Sequence, residues 1–293
     1  MKNCIFSFLV LLVGLPALAQ STDLARVEYL HIPFSKSNNS ITRYRVFAQA
    51  PIPLNEELTS FFVVGLEYRY HNIDIKDELP FDPAIISSVQ RMDAYVGYVQ
   101  RIKNDWILGG KIGGRIASNL IDGPMGDDYI FEGGVYAIKD RKNDTINTPW
   151  RLILGLTYST TPGRNYPLPL INYYREFHPN WTYTLGVPKT NVRHYLNDSH
   201  KDALQAYVTL DNFFGNLQKN VIVDGNLAEN VSMTTVIGGL GYEHYFTDHL
   251  LFYGYGAHTI FTEFRLRDNK RETAYIINED NSLYFRAGLK FKY

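Results

Sequence analysis

Eleven charged side chains fall where an alternating chain would aim them at the inside of a sheet: Glu67, Arg69, Arg91, Asp93, Lys111, Arg115, Glu132, Arg151, Glu243, Arg286 and Lys290. Around an enclosed, water-filled lumen such groups would select ions. Facing one another, they would neutralise as salt bridges and fill the space. A three-residue turn at Lys103-Asn104-Asp105 pairs Ile102 with Trp106 and so sets Asp93 opposite Arg115, where unlike charges across neighbouring strands stabilise each other. Cations and anions alternate along the series and no sign dominates. That favours a paired filling over a selective pore, whose wall usually carries a ring of one sign.

Catalytic chemistry has less support. Of the eight histidines, His258 is expected to face inward, with Glu243 the nearest inward acid on the adjoining strand. With Thr247-Asp248 as a two-residue turn, His258 pairs with Ile237 and Glu243 with Phe252. The two then lie about 20 Å apart at the usual strand rise and form no dyad. Asp248 and His249 sit at a turn, where solvation explains them. The chain contains no G-x-S-x-G, no H-E-x-x-H and no ligand cluster with metal spacing. The run Gly109-Gly110-Lys111-Ile112-Gly113-Gly114 lacks a Ser or Thr after its lysine and lies inside a strand. It reads as glycines that ease curvature or face aromatics, with Gly110 opposite Tyr98, and not as a phosphate loop. No cofactor is expected, and an enzyme is not the first reading.

The elements that must position these groups are strands. The last twelve residues, Ser282 to Tyr293, alternate to the final position: Leu283, Phe285, Ala287, Leu289, Phe291 and Tyr293 on one face, Ser282, Tyr284, Arg286, Gly288, Lys290 and Lys292 on the other. The same period recurs in 24–32, 42–50, 59–70, 89–102, 106–119, 129–139, 150–158, 203–213, 231–246 and 249–264. Between 168 and 196 it weakens into three shorter pieces, 168–177, 181–187 and 191–196. Fourteen strands result, or twelve if that stretch folds differently. The longest connections, 71–88, 119–128, 214–230 and 265–281, are expected at one end, and the short ones at 103–105, 178–180, 197–201 and 247–248 at the other. Transmembrane barrels show this asymmetry between external loops and periplasmic turns.

Composition agrees with that class. Hydrophobic residues make up 45% of the chain and aromatics 14%, with 22 Tyr and 17 Phe, yet mean hydropathy is only −0.21. A barrel produces this combination because its apolar residues occupy alternate positions and its rings gather in two interfacial girdles. Lys2, the apolar run Ile5 to Leu15 and Ala17-Leu18-Ala19 have the layout of a signal peptide over 1–19, leaving a barrel over 20–293. Its single cysteine, Cys4, lies in that segment, so the remainder has no thiol for a disulfide or metal site. The net charge is −1, and −2 without Lys2, which gives no reason to expect nucleic acid.

Leu168-Pro169-Leu170-Ile171 through Trp181, Gly186-Val187-Pro188-Lys189-Thr190 and Gly238-Gly239-Leu240-Gly241-Tyr242 resemble short motifs of a family of bacterial outer-membrane β-barrel proteins, a domain of unknown function. The resemblance implies an all-β, single-chain antiparallel transmembrane β-barrel in a Gram-negative outer membrane, and carries no catalytic or binding residues. An aromatic-ended terminal strand likewise resembles the C-terminal signature of such barrels, so Phe285, Leu289, Phe291 and Tyr293 are expected to engage the barrel-assembly machinery. With the first strand at about Leu24 and the last ending at Tyr293, no plug or peptidoglycan-binding domain is expected. The expected partners are outer-membrane lipid and small solutes. The expected role is a narrow passive channel or a closed barrel presenting surface loops, with a lipid-acting barrel enzyme as the alternative.

Overall fold

The computed structural model of the chain describes residues 23–141 and 148–292. The signal-like segment and Tyr293 fall outside the described residues. In chain order the strands are β1 (Asp23–Pro33), β2 (Ser40–Pro53), β3 (Ser60–Asp74), β4 (Ser88–Arg101), β5 (Trp106–Ser118), β6 (Tyr129–Arg141), β7 (Trp150–Ser159) and β8 (Leu168–His178). They continue with β9 (Trp181–Val187), β10 (Lys189–Tyr195), β11 (Asp202–Val223), β12 (Asn226–Tyr245), β13 (Leu250–Arg267), β14 (Thr273–Asn278) and β15 (Leu283–Lys292). Each pairs antiparallel with the next from β1 to β13, β13 pairs with β15, and β15 returns to β1. Fourteen strands therefore close a ring, while β14 pairs with the far end of β13 outside it. Closure leaves no sheet edge whose backbone groups would face lipid unpaired.

Period-two alternation sorts the two faces. Each of the fourteen ring strands exposes at least one large apolar side chain outward, among them Leu66 at 60%, Ile112 at 68%, Phe131 at 67% and Leu240 at 70%. A monomer in water rarely presents an apolar surface running all the way round it. Hydrocarbon is the solvent that suits this face. An outward Ile112→Arg, six residues above the turn end of β5, is expected to destabilise the folded barrel by about 2–4 kcal/mol, as for a cation near the bilayer midplane. The same change at Ile222, far along β11, is expected to move stability by about 0–1 kcal/mol. Urea unfolding of both variants in lipid vesicles measures the difference.

Three segments depart from the sequence expectation. The turn between β12 and β13 holds three residues, Thr247 to His249, because the Phe246 amide donates to Leu250 O at 2.9 Å. The register therefore shifts by one: His258 lies opposite Gly238 and Glu243 opposite Tyr253. His258 is exposed on the outer face and does not face inward. Tyr253 and Tyr255 take the inward positions instead, where their hydroxyls reach Glu28 at 2.6 Å and Glu243 at 2.5 Å. The expected loop 214–230 is strand: β11 and β12 run on as a hairpin to the turn at Asp224-Gly225. The expected loop 265–281 contains the end of β13 and all of β14. The weak stretch 168–196 forms three strands, so the count is fourteen and not twelve.

At ~3.3 Å per residue β11 is about 70 Å long, more than twice the hydrocarbon thickness. Its pairing with β10 ends at Thr209, and its continuation crosses to β5, where Asn216 pairs in parallel with Ser118. Polar groups hold this crossing. Asp128 accepts from Asn216 Nδ2 at 2.8 Å and Gln218 Nε2 at 2.7 Å, and the Asn119 amide donates to Asn216 O at 3.2 Å. The far half of β11 is thus a septum. On one side the inner faces of β1 to β4 and β11 to β15 meet in an apolar core that includes Ile73, Val89, Phe213, Met233 and Phe264. Phe213 packs on His71 at 4.6 Å and on Phe264 at 5.8 Å between ring centroids.

The glycine run seats aromatics, as one of its two expected uses. A side chain at Gly109 would fall 2.3 Å from the Tyr136 ring, and one at Gly113 would meet the Tyr95 Cβ at 2.7 Å. Tyr98 lies opposite Gly110. Tyr95 and Tyr136, packed against glycines on adjoining strands, fill the inner face without forcing the sheet apart, while Tyr98 is exposed on the outer face.

Candidate functional site

The other side of the septum is charged. Inward positions on β3, β4 and β5 bring Glu67 opposite Asp93 and Asp93 opposite Arg115. Glu67 accepts from Arg45 Nη2 at 2.9 Å and from Arg69 Nε. Asp93 accepts from Arg91 at 2.7 and 2.9 Å and from Arg115 Nε at 2.6 Å. Arg115 also donates to Glu132, which Lys111 Nζ approaches to 3.7 Å. Lys111 in turn lies over the Tyr95 ring at 5.1 Å. Every carboxylate of this wall is thus held by two cations. Unlike charges set side by side in this way recover much of the solvation they lose on leaving bulk water.

These groups line a cavity of about 390 Å³, whose far side is formed by Asn212 and Phe214 of the septum. Ser159, Thr161 and Arg164 line it where β7 passes into the connection to β8. Arg164 donates to Thr234 Oγ1 at 3.0 Å and belongs to no carboxylate ion pair among the described residues. Burial, and then the neighbouring Arg271, push the pKa of its guanidinium down. Arg265 and Arg267 lie in the same neighbourhood, with Arg267 donating to Pro162 O at 3.0 Å and stacking over Phe214 at 5.0 Å.

A second network bridges the barrel nearer its seam. Asp211 of β11 accepts from Arg43 Nη1 of β2 at 2.9 Å and from Tyr284 Oη of β15 at 2.6 Å. Arg43 also donates to Glu28 at 3.2 Å, and Arg286 lies 3.9 Å from the same carboxylate. Glu243 accepts from Gln205 at 2.7 Å and Tyr255 at 2.5 Å and pairs with Arg193 at 2.9 Å. Lys290 sits 3.9 Å from Asp23 and over the Tyr253 ring at 4.6 Å. Arg151 of β7 is in register with Asp140 and Tyr174.

Of the eleven charges singled out in the sequence, seven converge on the cavity: Glu67, Arg69, Arg91, Asp93, Lys111, Arg115 and Glu132. Glu243, Arg286 and Lys290 belong to the second network. Sequence reasoning missed Glu28, Arg43, Arg45, Asp211, Arg193 and Arg164. Strand parity on β1, β2 and β11 was the signal for Glu28, Arg43, Arg45 and Asp211. No local pattern sets Arg43 against Asp211, 168 residues away. On β15, Phe285, Leu289 and Phe291 are exposed on the outer face. Among the described residues no three His, Cys, Asp or Glu side chains are grouped as metal ligands.

Among solved structures the chain is similar to the KdgM porin, with 5% identity over 92% of this chain and 99% of that one and a TM-score of 0.38. It is similar to an outer membrane channel from Pseudomonas putida F1, with 8% identity over 95% and 99% and a TM-score of 0.41. It is also similar to the NanC porin, with 10% identity over 92% and 100% and a TM-score of 0.37. No family model and no curated protein matches the chain.

Proposed function

We propose that the protein is a passive outer-membrane barrel with a largely filled lumen, whose remaining route for small solutes follows the charged cavity between β11 and the β3 to β8 wall. The observation that carries this reading is the pairing of opposite faces: every ring strand turns apolar side chains outward, while the inner face holds the ion-paired wall and its cavity. The septum and the apolar core lie within the ring at the long-loop end. The amino-terminal 1–19 segment would direct export and be removed after about Ala19. Phe285, Leu289, Phe291 and Tyr293 would present the terminal strand to the barrel-assembly machinery, and the outer face would then meet outer-membrane lipid.

The purified protein in a planar bilayer tests the proposal. Expected is a conductance above that of bare lipid and a small fraction of that of an unobstructed fourteen-stranded pore. Absence of conductance would favour a closed barrel presenting its loops, and full-size conductance would contradict a filled lumen. The lipid-acting enzyme has one contact in its favour. His31 Nδ1 lies 3.1 Å from Thr42 Oγ1, on the face that carries the outward Tyr29 and Tyr44. A nucleophile also needs a third group to orient its base, and none contacts His31 among the described residues. Phospholipid ester turnover that disappears in Thr42→Ala would move the assignment to this second reading.

A further inference from the structure

Five cations line the cavity, Arg69, Arg91, Lys111, Arg115 and Arg164, against three carboxylates, so its lining carries a formal excess of two positive charges. The three carboxylates are already engaged. Arg45, outside the lining, adds a further cation to Glu67. Beside Arg164, Arg267 and Arg271 both crowd Gly163, while Glu263, opposite Thr234 in the ladder, is taken up by Arg265 at 3.0 Å. Arg267 Nη1 is buried there without a hydrogen-bond partner. Cations packed this closely raise one another's energy, and an anion placed among them relieves the strain. Neutral oxygens are also at hand, with Ser159 Oγ and Thr161 Oγ1 2.7 Å apart on the lining.

We propose that the cavity is a binding site for a small oxyanion, a carboxylate or phosphate of metabolite size, approached beside the 160–167 connection and met first by Arg164. The inference rests on the barrel reading above and names the solute class for its cavity. A volume of about 390 Å³ lies within the range of small-molecule pockets and too low for a polymer chain. Arginine suits the task because its planar fork donates two parallel hydrogen bonds to a carboxylate or phosphate. Arg69, Arg91 and Arg115 are committed to the wall. Arg164, and Lys111 at its longer ion-pair distance, are the cations able to turn to a guest.

Calorimetric titration of the detergent-purified full chain at low ionic strength tests the site. The probes are citrate, inorganic phosphate and uncharged glucose, which is close to citrate in size. Citrate and phosphate are expected to bind and glucose not to. Arg164→Gln is expected to weaken citrate about tenfold, as loss of one charge-assisted contact does. Lys111→Gln is a second variant, should the first fail to fold, and is expected to weaken citrate in the same direction. Arg101→Gln, exposed near a short turn, is expected to leave binding unchanged. Equal affinity for citrate and glucose, no citrate binding, or full citrate affinity in the folded variants would overturn the proposal. Citrate binding without bilayer conductance would sink the channel and leave the site standing. Conductance without citrate binding would do the reverse.

Discussion

Asp211→Ala is expected to destabilise the barrel by about 3–5 kcal/mol, the range for removing one member of a buried charge pair. Asp211 is the point at which β2, β11 and β15 meet, through Arg43 and Tyr284. The Arg43 side chain is 4% exposed, so water cannot replace the lost partner. Glu28 keeps its contact with Arg43 at 3.2 Å but offsets only part of the loss, since Tyr253 also donates to it and Arg26 and Arg286 approach it. Arg43→Ala with Asp211→Ala together should destabilise by less than the sum of the single changes, because each single change removes the same Arg43–Asp211 contact and leaves one buried charge short of a partner. The temperature at which the folded band is lost on a denaturing gel measures this, together with urea unfolding. An additive double variant would mean that the two groups act independently.

Asp128→Ala is expected to loosen the septum. The carboxylate is fully buried and accepts from Asn216, Gln218 and the Met125 amide at 2.7–2.8 Å. Hydrogen bonds to a charged group contribute about 1.5–3 kcal/mol each, and truncation leaves the buried Asn216 amide without this acceptor, while Gln218 keeps its bond to Gly123 O. The crossing then depends on the Ser118–Asn216 ladder pair and on the bonds of Gln218 to Asn119 at 3.2 Å, to Asp122 at 2.9 Å and to Gly123. Two readouts should change together. Bilayer conductance should rise several-fold as β11 swings away from the β3 to β8 wall. Trypsin should cut at Lys219, exposed on the septum, at concentrations that spare the parent. Cleavage without added conductance would show that the septum is held by Asp128 but does not limit the path.

Fourteen ring strands and the outward faces of most of them were legible in the chain because alternation is local. Each strand reports its own two faces through side chains two residues apart. The β4–β5 register followed as well, since the Lys103-Asn104-Asp105 turn fixes it, and with it the placing of Asp93 against Arg115. The same method failed at Thr247-Asp248-His249. One extra turn residue moved the register, and the inward choice fell to Tyr253 and Tyr255, whose hydroxyls find acceptors across the lumen. His258 went outward as a result. The hairpin beyond Phe213 reads as loop in the sequence because it is rich in Asn, Gln and Gly, residues that signal turns when no partner is known.

The amino-acid sequence by itself determined a ring of strands, greasy outside and charged within, because burial in hydrocarbon acts on each side chain separately. Tertiary structure alone decided that the lumen is divided. Asn216 meets Ser118 and Asp128, and Arg43 meets Asp211, only after the ring has closed and brought together segments 88 to 168 residues apart. Such contacts depend on the path of the whole chain, and no spacing along it records them.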